Sequence, residues 1–154
     1  MANKSTYNLS NDNVELSFNV SEHAKTLYRL LLVCDGGAKE RQLIADKLCR
    51  ELCRCANLKT SVEVKVCNVP QDSSTVNGVC VKKAYGKYIA QQRMIVLFNK
   101  TAVRHQTVSI KVFADALLHY LVHSLHYLYY RMDESPHTSG FYKRIFDLKD
   151  KLKS

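Results

Sequence analysis

Four side chains in one stretch, Asp115, His119, His123 and His126, carry the densest chemistry in this sequence. On an α-helix turning about 100° per residue they fall within roughly 80° of one another, while Phe113, Leu117, Leu121 and Leu128 cluster on the opposite side. His119 and His123 stand one turn apart, the i, i+4 spacing that lets two imidazoles reach one metal ion. Two ligands do not close such a site. His137 follows the helix break at Ser135-Pro136, where a turn can fold the chain back over the stripe. Three histidines leave one position of a tetrahedral ion open to water or substrate, the layout of a catalytic centre. The plainer reading of the same residues is a solvated polar helix face.

The helix that must carry the stripe is expected over 108–132, ended by Ser135-Pro136, with a last short helix over 139–152. Upstream, 61–67 (SVEVKVC), 76–81 and 93–98 (RMIVLF) are β-branched or apolar, with turn signals at Asn77-Gly78 and Gly86, so a small three-stranded antiparallel sheet is expected. Before it, Leu43, Ile44, Leu48, Leu52 and Cys55 form one stripe of a helix over 38–57, with Lys39, Glu40, Arg41 and Lys47 on its polar side. A first helix starts at Ser21, a good N-cap, and repeats through Ala24, Leu27, Leu31 and Cys34 to the break at Asp35-Gly36-Gly37. A competing parse makes 30–34 a buried strand and the glycines a loop, as in cysteine-loop subunits of sugar phosphotransferase systems. That parse leaves the C-terminal histidines without a role. Residues 14–20 alternate at period two and read as a strand or an extended arm. The order of elements is α+β.

A chain of 154 residues is the size of one domain, since cores split only above about 200. Its 46% apolar and 24% charged residues match a globular protein rather than a disordered one. No apolar run approaches the ~20 residues of a membrane span, and the polar start lacks a signal region, so a cytoplasmic protein without membrane attachment is expected. The six cysteines include no CxxC pair, which points to buried free thiols rather than a redox motif or zinc knuckle.

The net charge of +9 is unevenly distributed. Between Asp72 and Asp115 no acidic residue occurs, whereas Lys82, Lys83, Lys87, Arg93, Lys100, Arg104 and Lys111 all do. Such a block attracts polyanions, nucleic acid being the commonest in a cell, or serves solubility. Tyr120, Tyr127, Tyr129, Tyr130 and Tyr142 surround the histidines. Rings beside basic residues can stack on unpaired bases, and packing at the core rim is their other use.

The run LLHYLVHSLHYL (117–128) followed by SPHTSGFYKRI resembles the SprT-like metallopeptidases, relatives of the Spartan DNA-protein crosslink proteases. Their pattern is H-E-x-x-H on a helix, then a third histidine in an H-G-x-x-F-type motif. KKAYGKY ahead of RMIVLF is similar to the family strand that carries a Gly-Lys/Arg-Tyr step beside the active-site helix. The resemblance implies a zincin-like fold over 21–154 behind an arm or strand at 1–20, zinc on His119, His123 and His137, and Phe141 packed behind the last histidine. Tyr120 stands where the family has its glutamate, and Thr138 replaces the glycine after the third histidine. That glutamate is the general base, worth about 10²- to 10⁴-fold in rate. A phenol with a reference pKa of about 10 stays protonated at neutral pH and does not replace it. Asp115, Asp133 or Glu134 are the substitute carboxylates available, and Asp115 and His126 are also placed to orient an imidazole. The implied function is a zinc-binding domain with lost or reduced peptidase activity, associated with nucleic acid. Two alternatives are an active metal-dependent hydrolase with a non-standard base and a metal-free interaction module.

Overall fold

The computed structural model describes residues 16–34, 37–76, 79–131 and 137–154, with the backbone alone over 72–76 and 79–84. Among these residues the fold is α+β, with four α-helices and a three-stranded mixed sheet.

Helix α1 (Glu22–Leu32) begins where Ser21 Oγ accepts from the Ala24 amide, and the same hydroxyl donates to Glu51 Oε1 at 2.7 Å on α2. Ala24, Leu27, Tyr28 and Leu31 form its buried face, while Leu30 and Val33 are exposed. The strand parse of 30–34 is therefore overturned, because three- and four-residue spacing rather than a continuous apolar run decides burial. Asp35 and Gly36 lie outside the described residues.

Helix α2 (Ala38–Cys55) buries a face rotated from the expected stripe, one that keeps Leu48 and Leu52 but not Leu43. Leu43 is 57% exposed, and the buried residues are Arg41, Ala45, Leu48, Cys49, Leu52 and Cys53. Arg41, expected on the polar side, is 2% exposed. Its guanidinium donates to Asn99 Oδ1 at 2.9 Å and to the Val108 carbonyl at 2.7 Å, and lies 5.0 Å from the Phe113 ring centroid. A buried charge requires such partners, and here they fasten α2 to the far end of the sheet.

The sheet differs from expectation in topology. Strands β1 (Glu63–Pro70), β4 (Gly86–Ile89) and β5 (Met94–Lys100) form it in the order β1-β5-β4, with β1 parallel and β4 antiparallel to β5. Ile95, Val96 and Leu97 are all buried, the run of a central strand covered on both faces. Strands β2 (Asp72–Val76) and β3 (Val79–Ala84) pair only with each other, as a separate antiparallel ribbon. The expected strand over 76–81 is thus replaced in the sheet by the four residues of β4, and Gly86 sits in that strand rather than in a turn. At the outer edge of β1 the amides of Val64 and Val66 donate to Asp46 Oδ1 and Gln42 Oε1 of α2, which closes that edge to further pairing.

Helix α3 (Ile110–Leu128) is capped by Ser109 Oγ and is buried over most of its circumference, including Phe113, Leu117, Leu118, Leu121, Val122 and Leu125. Helix α4 (Ser139–Lys153) starts at Thr138, whose Oγ1 accepts from the Phe141 amide at 3.0 Å. Residues 16–20 form no strand, and the rest of the expected arm, 1–15, lies outside the described residues. Leu16 is buried, its amide donates to Asp147 Oδ2 at 2.8 Å, and its carbonyl accepts from Lys151 Nζ at 3.0 Å. Cys34, Cys49 and Cys53 are buried free thiols, and burial pushes the Cys49 thiol well up. Among the described residues no helix is long and apolar enough to cross a membrane.

Candidate metal centre

Helix α3 and the start of α4 bring the three predicted ligands together. His119 Nε2 and His123 Nε2 lie 3.1 Å apart, and His137 Nε2 lies 2.8 Å from His123 Nε2. One ring nitrogen from each of the three lies within 4.8 Å of the others, and among the described residues no carboxylate joins the group. An imidazole nitrogen carries either one proton or one lone pair. With neighbours at both distances, hydrogen bonding serves one contact of His123 Nε2 well and the other poorly. Three lone pairs directed at one cation serve all three. Nitrogens at metal distances of about 2.0–2.1 Å in a tetrahedron stand about 3.3–3.4 Å apart, so the two contacts of His123, at 3.1 and 2.8 Å, lie close to that spacing, while the third pair is held within 4.8 Å. The donor set fits a metal ion.

Protonation favours the same use. Burial, then the charge of His137, pushes His119 down to about 4. Burial, then the neighbouring histidines, pushes His123 down to about 3. Both rings are therefore neutral near pH 7, the form that ligates. Phe141 is fully buried beneath them, with ring centroids 4.6 Å from His123, 5.1 Å from His119 and 5.0 Å from His137. Thr138, in the position where the resembled family has glycine, caps α4 and so fixes the helix that holds Phe141.

His126, on the same stripe, has a different environment. It is fully buried, and its Nε2 accepts from the Arg144 guanidinium, which can only donate. Arg144 is itself fully buried and sits 5.3 Å from the Tyr130 ring centroid. The His123 and His126 rings are 6.2 Å apart. Nothing in the type of Arg144 suggests burial, but its spacing from Phe141, Leu148 and Leu152 does, since all four share one face of α4.

Tyr120 faces the sheet. Its hydroxyl donates to the Gly86 carbonyl at 2.8 Å, and its ring lies 5.0 Å from His119. A Cβ on Gly86 would collide with the Val96 carbonyl and press on the Tyr120 ring, so β4 approaches α3 this closely only as glycine. Burial raises the Tyr120 phenol further, which keeps it a hydrogen-bond donor. Asp115 Oδ1 accepts from Lys149 Nζ at 2.8 Å. Asp133 and Glu134 lie outside the described residues.

The basic block is spread along β5 rather than gathered at one point. Arg93 precedes β5 and Lys100 ends it, roughly 20 Å apart at the rise of a strand. Lys87 pairs in register with Val96 between them. Arg104 and Lys111 are exposed near the Lys100 end, where the β2–β3 ribbon also departs. The side chains of Lys82 and Lys83 lie outside the described residues. Of the tyrosines, Tyr129 packs edge-on against Phe18, and Tyr127 stacks on Tyr88 at 5.8 Å.

No family model, curated protein or solved structure matches the chain.

Proposed function

We propose that this chain is a zinc-binding, zincin-like domain of the SprT-like type that has lost or reduced peptidase chemistry and works in the cytoplasm as a nucleic-acid-associated binding protein. The observation that carries the reading is the clustering of the His119, His123 and His137 nitrogens within 4.8 Å of one another. An all-imidazole set suits zinc among the common cellular metals, and the Gly86–Tyr120 contact agrees with a Gly-Lys-Tyr strand lying beside the ligand helix.

When bound, zinc would supply Lewis acidity at its open position and folded-state stability. The chain's own residues do the rest. His119 and His123 are held neutral by burial, Phe141 fixes the three rings from beneath, and Thr138 sets the helix that follows His137. Tyr120 spends its hydroxyl on Gly86 and offers no base. Loss of a general base lowers rate by about 10²- to 10⁴-fold, so casein and DNA-crosslinked protein should remain uncleaved. The test is metal content with melting temperature. One zinc per chain and a melting temperature raised by zinc and lowered by a chelator are expected. Protein that stays metal-free after incubation with zinc contradicts the reading, and chelator-sensitive cleavage contradicts the loss of peptidase chemistry.

A further inference from the structure

Three surface hollows follow one another along α3. The first, about 330 Å³, is lined by Tyr85, Asp115, His119 and Tyr120 among others. The second, about 300 Å³, includes Tyr120, Lys87, Tyr88, His123 and Tyr127. The third, about 510 Å³, includes Tyr127, Lys59, Thr60 and Arg131. Tyr120 is common to the first two and Tyr127 to the last two, so the hollows form one furrow passing the histidine cluster. Among their α3 residues, which also include Asp115, His119 and Leu128, Val112, Ala116, Tyr120, His123 and Tyr127 recur at three- and four-residue spacing. Between Val112 and Leu128 the helix is ~24 Å long.

The lining has a distinctive chemistry. Tyr85, Tyr88, Tyr120 and Tyr127 are only partly buried, so ring surface remains available along the furrow. Lys59, Lys87 and Arg131 are exposed cations on its walls, and among the described residues its one carboxylate, Asp115, is already ion-paired with Lys149. The furrow is therefore aromatic and net positive. An extended single strand presents a π-face at every base and a charge at every phosphate, and this combination suits both. A peptide in the same place would meet cations without a matching need, and a duplex keeps its bases stacked away from the rings.

We infer that the furrow along α3 is a single-stranded nucleic-acid site, with bases against the tyrosines and backbone phosphates on Lys59, Lys87 and Arg131. This rests on the nucleic-acid part of the proposed function and moves its contact surface away from the Lys100, Arg104 and Lys111 end of the basic block. A footprint of at least about four nucleotides matches the smallest single-strand sites of this kind.

The test is fluorescence anisotropy of a labelled 12-nucleotide single strand and its duplex at low salt, on the full chain, with zinc content measured in every variant. Tyr127→Ala should lower single-strand affinity by about five- to hundredfold, the range of one lost stacking partner. Lys59→Glu with Arg131→Glu, both on exposed side chains, should lower affinity and flatten its salt dependence. Arg104→Glu with Lys111→Glu should leave it nearly unchanged, and zinc per chain should not move in any of them. Wild-type affinity in both furrow variants, with loss in the Arg104/Lys111 variant, overturns the furrow and retains nucleic acid as the partner. No binding by the unmodified chain, or binding of an unrelated peptide in the furrow in preference to the strand, overturns both. Loss of the metal reading would appear separately, as absent zinc.

Discussion

Two histidine neighbourhoods one turn apart on α3 use the same side chain in opposite ways. His119, His123 and His137 meet one another at Nε2. His126 meets a buried guanidinium that fills its acceptor. All three α3 rings are pushed towards the neutral form, His126 to about 3 by burial and then by Arg144. Neutrality alone therefore does not mark a ligand. What separates the two neighbourhoods is the group placed against Nε2, further imidazoles in one and a guanidinium that can only donate in the other.

The largest expected effect breaks this comparison at the metal. His123→Ala should remove stoichiometric zinc, because it deletes the nitrogen that touches both others, whereas His126→Ala should keep zinc at one per chain. Equal loss in both variants, read by elemental analysis of folded protein, would erase the distinction.

Next in size is stability. Arg144→Ala removes a fully buried side chain and leaves the His126 acceptor without its donor, at a cost of about 2–4 kcal/mol in urea unfolding. Zinc content of the variant that remains folded should be unchanged. A cost under about 0.5 kcal/mol, the usual effect of a surface substitution, would show that the pair does not hold α3 to α4.

Acid sharpens the comparison further. Each of the three α3 histidines has a folded pKa below its unfolded value of about 6.5, so between the two values the unfolded state binds more protons. Stability of the metal-free protein should therefore be full above about pH 6.5 and fall as pH drops towards about 4 for His119 and about 3 for His123 and His126. Removing His126 should shrink this slope. An unfolding free energy flat from pH 7 to 5 would contradict the burial of neutral imidazoles.

The smallest effect concerns the neighbour of His119. Tyr120→Phe deletes one hydrogen bond to Gly86, worth about 1 kcal/mol, and should leave zinc binding intact. Loss of zinc in that variant would give the phenol a role at the metal.

The histidine triad was legible because i, i+4 spacing on a helix is a local signal and the ligands sit within nineteen residues of chain, from His119 to His137. The start of α1 was legible for the same reason, from Ser21 as its cap, whereas Ser109 and Thr138 emerge as the caps of α3 and α4 only in the structure. The sheet was not legible. Parallel pairing of β1 with β5 joins segments some thirty residues apart and leaves no local trace in either, and β4 is too short and too polar to announce a strand. Arg41 was placed on the polar side by its type, and nothing in the type of Arg144 pointed to its burial either. Their positions gave them away, as Arg41 repeats with Ala45, Leu48 and Leu52 and Arg144 with Phe141, Leu148 and Leu152. Neither burial is explained by composition, and both depend on acceptors supplied by other elements.

The most direct measurement of the central claim is the zinc X-ray absorption edge and fine structure of the purified, zinc-loaded protein. One ion per chain with three imidazole nitrogens at about 2.0–2.1 Å and one further light ligand is expected. Sulfur at about 2.3 Å, which would assign the ion to cysteines instead, or fewer than three imidazoles, would contradict it.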